Sequence, residues 1–239
     1  MESGVYIVGT PIGNLDDISP RALAALRGAD VIFAEDTRHT LKLMARFGIR
    51  GPLVSCHKFN EASRVRMAME RLRAGARLAL VTSAGMPGVS DPGPRIVDAC
   101  RKLGVRVTVL PGPSAVTAAA ALCGFAGRGY HFEGFLPRKP GRRRRRLAEL
   151  SEERCPVIFF ESPFRIAALL GEMSEAFGDR RAFVGRELTK LNEECLWGTP
   201  GELRAELESR TGLQGRRKLK GECVIAVEGA DTAQDTDED

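Results

Sequence analysis

The sequence has no paired cysteines, few histidines and no long apolar run, and each absence excludes a class of protein. Its six cysteines stand singly, without the CxxC spacing of zinc sites or the density of a disulfide framework: Cys56, Cys100, Cys123, Cys155, Cys195 and Cys223. The three histidines are too scattered to suggest a metal cluster. No run of about 18 apolar residues occurs, and the N-terminus has no signal-like region. We therefore expect a cytoplasmic protein with reduced cysteines, no metal and no membrane segment.

Common catalytic signatures are missing as well. There is no G-x-x-x-x-G-K-[ST] phosphate loop and no G-x-S-x-G nucleophile elbow. The first glycine-containing loop, Gly9 to Asn14, lacks the G-x-G-x-x-G spacing of dinucleotide-binding folds. These absences argue against P-loop enzymes, α/β-hydrolases and enzymes that use nicotinamide or flavin.

What is present is a strand followed by a loop of glycine, proline and small polar residues. Leu78 to Val81 predicts a buried strand, which the segment Ala84 to Gly88 ends. Ser90 or Asp91 is the predicted cap of the helix that follows, with Pro92 near its first position.

The same pattern occurs twice more, at Val5 to Val8 before Gly9-Thr10-Pro11 and at Val105 to Leu110 before Pro111-Gly112-Pro113-Ser114-Ala115. Any one of these loops alone is typical of an ordinary turn. Open α/β folds bind ligands beyond the carboxyl ends of their strands, so three such loops predict one shared pocket. Backbone carbonyls and amides would line it, which suits a neutral or zwitterionic small molecule.

Two further strands end in polar residues. Val31 to Ala34 precedes the polar segment Glu35 to Thr40, where Asp36 or Thr37 could simply cap a helix. A helix cap needs only one such residue, whereas this segment holds two carboxylates, a guanidinium and an imidazole, which favours a functional surface. After the strand Leu53 to Ser55, Asn60 is the predicted cap of the next helix, which leaves His57 and Glu61 for a substrate.

Strands and helices alternate through residue 123, which predicts an N-terminal α/β domain with a mostly parallel sheet and helices on both faces. Residues 124–129 form a predicted linker. Five strands and three helices over residues 130–229 predict a C-terminal α+β domain with a mixed sheet. Residues 230–239 form an acidic tail that we expect to be disordered.

Positive charge is concentrated in two segments. The net charge is +5, and the five acidic residues of the last eleven positions leave +10 on residues 1–228. Seven cations lie between Arg138 and Arg146, and four more between Arg216 and Lys220. A solvated helix start would explain the first run, but guanidinium groups match phosphate oxygens in two-point fashion, which favours a nucleic-acid contact.

Nine segments together carry a family resemblance. They are GTPIGNLDDIS (9–19), AEDTRHT (34–40), HKFNE (57–61), AGMPGVSDPG (84–93), LPGPSA (110–115), EGFLPRK (133–139), FFESPFR (159–165), RELTK (186–190) and KGECVIAVEG (220–229). Up to Gly229 the chain resembles the tetrapyrrole-methylase superfamily, which uses S-adenosylmethionine, and within it the ribosomal RNA small subunit methyltransferase I family. The loops are shared across the superfamily, whereas AEDTRHT and RELTK are more specific.

The resemblance implies 2′-O-methylation of a cytidine ribose in the decoding region of 16S ribosomal RNA by a homodimer. It implies a two-domain fold with the cofactor in the interdomain cleft. The implied cofactor contacts are Pro11, Gly85, Met86, Pro87, Ser90, Ser114 and Ala115, with Glu161 and Leu188 from the second domain. The implied RNA contacts are Arg138, Lys139, Arg142, Arg143, Arg144, Arg145, Arg146, His57 and Lys190.

A ribose hydroxyl is a weak nucleophile that gains from a base or from a cation near the alkoxide. The catalytic candidates are Glu35, Asp36, Arg38 and Glu187, with Lys190 and Arg165 as electrostatic support. The sequence does not choose among them.

The chain departs from the family pattern in three places. Ser83 and Met86 stand where relatives commonly have an acid and a threonine, GTPIG replaces PTPIG, and acids follow Gly229 where many relatives continue into a helical segment. We expect the GTPIG change to be harmless and the arginine run to compensate for the missing segment.

Two other functions stay open. A tetrapyrrole C-methyltransferase would need neither the arginine run nor AEDTRHT, and an inactive RNA-binding relative would bind S-adenosylmethionine poorly.

Overall fold

The computed structural model describes residues 1–127, 129–211 and 220–230, apart from the Thr211 side chain. The chain forms two compact units that divide between Ser114 and Ala115. Most of the second basic segment and the acidic tail from residue 231 onward lie outside the described residues, so their predictions stand as made.

The first unit is a parallel five-stranded sheet in the order β3-β2-β4-β1-β5. The strands are β1 (Gly4–Val8), β2 (Val31–Ala34), β3 (Leu53–Ser55), β4 (Arg77–Val81) and β5 (Val107–Leu110). The connecting helices are α1 (Pro20–Gly28), α2 (Thr37–Arg46), α3 (Glu61–Arg73) and α4 (Pro94–Lys102). Because all five strands are parallel, their carboxyl ends meet at one edge of the sheet.

Alternating residues of the three central strands, β2, β4 and β1, are buried on both faces of this sheet. Val8, Ile32 and Val81 pack with α1 and α2, whereas Val5 and Phe33 pack with α3 and α4 on the other face. Burial on both faces explains why these strands are continuous apolar runs without polar alternation. The predicted parallel sheet with helices on both faces is confirmed.

The second unit is a mixed five-stranded sheet in the order β6-β7-β10-β8-β9. Its strands are β6 (His131–Phe135), β7 (Val157–Glu161), β8 (Ala182–Arg186), β9 (Glu194–Gly198) and β10 (Cys223–Val227). β6 and β7 are parallel, while β10 is antiparallel to both β7 and β8. Its helices are α5 (Ala115–Cys123), α6 (Pro140–Leu150), α7 (Ile166–Phe177) and α8 (Pro200–Thr211). The predicted mixed sheet is confirmed.

Helix α5 makes its contacts in the second unit, although the sequence assigned residues up to 123 to the first domain. It contacts β7, β8 and β10, and Val116, Ala119 and Cys123 are buried along one of its faces. A nearly all-apolar helix must be covered, and strand and helix alternation along the chain does not say which sheet covers it.

Two predicted helix caps differ from those observed. Helix α4 begins after Gly93, and its first free amides are satisfied by Glu61, which accepts hydrogen bonds from Gly93 N at 3.0 Å and Arg95 N at 2.9 Å. Neither Ser90 nor Asp91 caps it. Asn60 occupies the predicted N-cap position of α3, but its Oδ1 accepts from the amide of His57 at 2.8 Å and makes no hydrogen bond to an amide of that helix. Local sequence cannot reveal a cap that comes from another helix.

No described helix is both long enough and apolar enough to span a bilayer.

Candidate active site

The three glycine and proline loops of the first unit lie together at the carboxyl edge of its sheet. Thr10 and Gly85 exchange backbone hydrogen bonds, N to O at 2.9 Å and O to N at 3.1 Å. The Thr10 hydroxyl also donates to the carbonyl of Thr82 at 3.2 Å. Gly9 N donates to Leu110 O at 3.0 Å, which joins the first loop to the loop after β5. The loops after β1, β4 and β5 are therefore one backbone-bonded assembly.

Glycine is required where these loops meet. A Cβ added to Gly9 would lie 2.7 Å from Gly112 N and 2.6 Å from Met86 Sδ, and one added to Gly112 would lie 2.9 Å from Gly9 Cα. Gly85 has φ +80° and Ser90 has φ +65°, the left-handed region that few non-glycine residues adopt. Backbone strain at Ser90 is typical of a ligand-binding loop.

Glu35 is the polar side chain most firmly fixed at this edge. Its Oε2 accepts hydrogen bonds from Ser83 N at 3.2 Å and Ser83 Oγ at 2.8 Å. The Thr82 hydroxyl lies 2.9 Å from the same oxygen and 2.7 Å from Asp91 Oδ2, and its single hydrogen serves only one of the two carboxylates at a time. Glu35 is half-buried, and its Oε1 has no hydrogen-bond partner within the described part of the chain.

The neighbouring candidates have other roles in the fold. Asp36 caps α2, accepting from Arg38 N at 2.8 Å and His39 N at 3.3 Å, and these backbone hydrogen bonds hold the pKa of its carboxyl below the usual value. The Arg38 guanidinium is 89% exposed and lies 3.4 Å from the Asp36 carboxylate. The simpler interpretation of Asp36, a helix cap, accounts for its contacts.

Glu61 and His57, the residues that the sequence left for a substrate, differ in accessibility. Glu61 is 6% exposed and its Oε1 holds the start of α4, so the expectation that it is free for a substrate is wrong. His57 Nδ1 is buried and has no hydrogen-bond partner among the described residues. His57 therefore keeps an unused polar atom at the end of β3.

The second unit has its own edge of loops. Cys223, the first residue of β10, pairs with Glu161 on one side and with Arg186 on the other. Phe135 of β6 pairs with Phe160 of β7. The carboxyl ends of β6, β7 and β8 and the amino end of β10 therefore share one edge, which carries the segments EGFLPRK, ESPFR, RELTK and KGE.

Glu161 organises the middle of this edge. It is 4% exposed, and its Oε1 accepts from Ser162 N at 2.6 Å and from Arg165 Nε at 2.8 Å. A buried carboxylate requires such compensation. Arg165 is therefore committed to an ion pair and is not a free cation.

Glu187 and Lys190 form a second, strained cluster. Lys190 Nζ donates to Glu187 Oε1 at 2.7 Å and to Glu222 Oε2 at 2.9 Å. Burial opposes the charge on both side chains, but these hydrogen bonds outweigh it, so the pKa of Glu187 lies below its usual value and that of Lys190 above. Glu187 has φ +52° and Thr189 φ +67°. A Cβ on Gly221 would lie 2.4 Å from Glu187 Cδ, so only glycine leaves room for this carboxylate.

The arginine run divides into two faces of α6. Arg143 makes a bidentate pair with Glu172 of α7 at 2.5 and 2.7 Å, and Arg146 pairs with Glu133 of β6 at 2.7 and 2.9 Å. These bonds lower the pKa of Glu133 and Glu172 and raise those of the two arginines. The remaining cations of the run are exposed, and their charged groups pair with no acidic residue in the described ranges: Arg138, Lys139, Arg142, Arg144 and Arg145.

The implied cofactor residues fall in the same loops. In the first unit, Pro11, Gly85 and Pro87 are buried and Met86 and Ser114 are half-buried at the loop assembly, while Ser90 is exposed. Ala115 opens α5, and Glu161 and the buried Leu188 lie at the edge of the second unit. Thr82, Asp91, Gly221 and Glu222 were missed as members of these clusters, because each meets its partner through the fold. Asp91, Gly221 and Glu222 lie within the quoted motifs AGMPGVSDPG and KGECVIAVEG, but the motifs do not reveal which partner each contacts.

Comparison with known families and relatives gives one consistent result. Residues 4–204 match the family model of tetrapyrrole (corrin/porphyrin) methylases. The chain is 43% identical over 226 residues to the ribosomal RNA small subunit methyltransferase I of Thermotoga maritima, covering 94% of this chain and 98% of that protein. It is 47% identical over 227 residues to the protein of the same name from Xylella fastidiosa strain Temecula1, covering 95% and 81%.

Solved structures share the architecture at low sequence identity. The methyltransferase CobJ superposes with a TM-score of 0.68 at 21% identity, covering 95% of each chain. Uroporphyrin-III C-methyltransferase from Thermus thermophilus, complexed with S-adenyl homocysteine, has a TM-score of 0.65 at 19% identity and covers 95% of this chain and 97% of that one. At such identities the likeness establishes the fold alone.

Proposed function

The chain belongs to the tetrapyrrole methylase family and, within it, to the ribosomal RNA small subunit methyltransferase I group, and we propose that it methylates ribosomal RNA at a ribose 2′-hydroxyl. Its cofactor is S-adenosylmethionine. The proposed acceptor is a cytidine in the decoding region of 16S ribosomal RNA. The observation that carries the proposal is Glu35, a carboxylate fixed at the loop assembly with one free oxygen.

The loop assembly suits this cofactor chemically. It offers backbone amides and carbonyls, the apolar groups of Pro11, Met86 and Pro87, and the carboxylate of Glu35, but no described lysine or arginine for a diphosphate. Such a lining matches a zwitterion that also carries a sulfonium cation. We propose that the cofactor contacts are Pro11, Gly85, Met86, Pro87, Ser90, Ser114, Ala115, Glu161 and Leu188.

When bound, S-adenosylmethionine would supply an electrophilic methyl group: a carbon–oxygen bond to the ribose would form as the carbon–sulfur bond breaks, the electron pair leaving with the sulfur of S-adenosylhomocysteine. The ribose oxygen would lose its proton in the same reaction. Glu35 Oε1 accepts the proton, because Ser83 and Thr82 hold Oε2 and so orient the other oxygen. Here Ser83 supports the carboxylate through two hydrogen bonds. The Ser83 departure from the family pattern therefore gives no support to the alternative of an inactive relative.

The other charged candidates have supporting roles in this proposal. Arg38, exposed on the first turn of α2, stabilises the developing alkoxide or an adjoining phosphate. Glu187 holds Lys190 in place at the edge of the second unit, and Lys190 and His57 are proposed RNA contacts. Asp36 positions Arg38 through the start of α2.

The five exposed cations of the arginine run hold the RNA backbone. An electrostatic contact of this kind weakens with salt in proportion to the number of phosphates it neutralises. Arg143 and Arg146 contribute by fixing α6 on α7 and β6, so that Arg142, Arg144 and Arg145 face solvent.

The test is methyl transfer from labelled S-adenosylmethionine to small ribosomal subunits that lack the modification, followed by mapping of the labelled nucleotide. We expect label on the ribose of one decoding-region cytidine. Label on a base, or on a tetrapyrrole acceptor and not on RNA, would overturn the proposal. Weak cofactor binding together with no transfer to subunits or naked ribosomal RNA would favour an inactive relative.

We further propose a cytoplasmic homodimer, on the strength of the family resemblance. Light scattering coupled to gel filtration measures the mass directly, and a monomer at micromolar concentration would contradict the dimer.

A further inference from the structure

Phe164 is the most exposed aromatic side chain of the described second unit. It is 70% exposed, compared with 57% for Phe135 and 55% for Trp197. Phe135 packs against the ring of Phe160 at 5.6 Å and Trp197 against Phe183 at 5.4 Å. Phe164 has no ring neighbour among the described residues. A large apolar ring left in water on an ordered segment indicates a binding surface.

The turn that carries Phe164 is held on both sides. Ser162 N and Arg165 Nε both donate to the buried Glu161, and the amides of Arg165 and Ile166 donate to Ser162 O at 2.9 and 3.1 Å. The backbone around the ring is therefore ordered before any ligand arrives. Pre-organisation of this kind reduces the entropy lost on binding.

The nearest strand end brings positive charge to the same place. β6 and β7 are adjacent parallel strands, and Phe135 pairs with Phe160. Arg138 lies three residues beyond Phe135, and Phe164 lies four residues beyond Phe160. Adjacent strands are about 5 Å apart, so the two loops leave the sheet side by side. Arg138 and Lys139 lead directly into α6, whose outward face carries Arg142 and Arg145.

An exposed ring beside several unpaired cations is the combination that recognises single-stranded nucleic acid. Cations contact the phosphates, and the ring stacks on a base whose face is free. A duplex hides its base faces in its own stack, so it gains only from the cations. The ring therefore distinguishes unpaired from paired RNA.

We propose that Phe164 stacks on an unpaired base of the RNA substrate while Arg138, Lys139 and Arg142 hold the adjoining phosphates. This inference rests on the proposed function, since it assumes an RNA substrate. It assigns Phe164 a specificity role, selecting single-stranded segments, and no part in the chemistry.

The experiment compares binding of a single-stranded RNA of about 12 nucleotides with binding of the duplex of the same sequence. Phe164→Ala is expected to weaken single-strand binding by about 5- to 150-fold, the usual worth of one stacked base. Duplex affinity stays within about twofold, and the salt dependence of both is unchanged. Phe164→Tyr retains binding because it keeps a ring, whereas Phe164→Leu keeps apolar area only and behaves like Ala.

Leu103→Ala is the control for loss of an exposed apolar side chain. Leu103 is 52% exposed and lies between α4 and β5, at the amino-terminal ends of the strands of the first sheet and away from its loop assembly. Single-strand affinity that is unchanged in Phe164→Ala, or duplex affinity that falls equally, overturns the stacking role. Equal binding by the Leu and Tyr variants also overturns it.

Methyl transfer to small subunits by the parent chain, measured in parallel, separates this outcome from failure of the proposed function. If the parent chain methylates RNA and Phe164→Ala binds single-stranded RNA normally, only the stacking proposal is wrong. If the parent chain neither binds nor methylates RNA, the stacking proposal and the proposed function are both wrong.

Discussion

The two loop edges of this protein are built in different ways. At the edge of the first unit, backbone hydrogen bonds between Thr10 and Gly85 and close glycine contacts hold the loops together. At the edge of the second unit, ion pairs do so, with Glu161 on Arg165 and Glu187 on Lys190. Among the described residues, the first edge leaves one carboxylate oxygen of Glu35 without a hydrogen-bond partner. At the second edge Glu161 and Glu187 pair with Arg165 and Lys190, and the exposed cations Arg138 and Lys139 have no acidic partner in the described ranges.

This difference indicates a division of labour. Where backbone hydrogen bonds hold the loops together, polar side chains can contact a ligand and take part in the reaction. An edge held by ion pairs is a rigid support, on which exposed residues such as Arg144 and Phe164 are presented. The predictions below test whether chemistry resides at the first edge and support at the second.

The largest effect is expected for Glu35→Gln. Glutamine retains much of the size and hydrogen bonding but cannot accept a proton, so methyl transfer should fall by about 10²- to 10⁴-fold. Cofactor affinity, measured by calorimetry, should change little. Glu70→Gln, at an exposed position of α3, is the control and should retain full activity. If Glu187→Gln abolished transfer while Glu35→Gln did not, the assignment of chemistry to the first edge would be wrong.

Gly9→Ala should separate cofactor binding from chemistry. Its Cβ would meet Gly112 and Met86 at less than van der Waals distance, which should cost about 1–3 kcal/mol of stability. Cofactor affinity should fall by about tenfold, because the three loops move apart. Gly51→Ala is the matched control, since its Cβ would meet nothing within 4 Å. Unchanged cofactor affinity in Gly9→Ala would remove the loop assembly from the cofactor site.

Glu172→Gln should expose the dependence of the second unit on ion pairs. The bidentate hydrogen bonds from Arg143 lower the pKa of Glu172 from its usual 4.5. Their stabilisation is therefore complete above about pH 4.5 and is lost as the pH falls through the lowered folded value. At pH 7 the variant should lose about 1–3 kcal/mol.

Melting temperature measured between pH 7 and pH 3 provides the check. The Glu172→Gln curve should fall less steeply below pH 4.5 than that of the parent chain. Glu175→Gln, exposed on the same helix, should follow the parent. Parallel curves for Glu172→Gln and the parent would show that this pair does not stabilise the unit.

The smallest effect is expected at Asp36. Asp36→Ala removes the cap of α2 and should lower the melting temperature by a few degrees. Asp36→Asn keeps a good capping side chain and should retain the stability. Methyl transfer by either variant should remain well above that of Glu35→Gln. A collapse of activity in Asp36→Asn without loss of stability would make Asp36 the base in place of Glu35.

Much of the fold follows from local sequence. The predicted strands Val31–Ala34 and Leu53–Ser55 coincide with observed strands, because short apolar runs bounded by polar residues favour strands over helices. Convergence of the three loops also followed, since parallel strands place their carboxyl ends at one edge. The motifs AEDTRHT and RELTK indicated the family that the comparisons then established.

Tertiary structure decided how the polar residues are used. Glu61 caps α4, 32 residues away, and Ser83 and Thr82 fix Glu35 across 48 and 47 positions. Arg143 and Arg146 turn inward because Glu172 and Glu133 lie beneath α6. The neighbouring arginines Arg142, Arg144 and Arg145 are exposed, although their side chains are chemically identical. Hydrophobic periodicity is a property of neighbouring residues and is therefore present in the sequence. The partner of a charged side chain depends on which distant segment the fold places beside it.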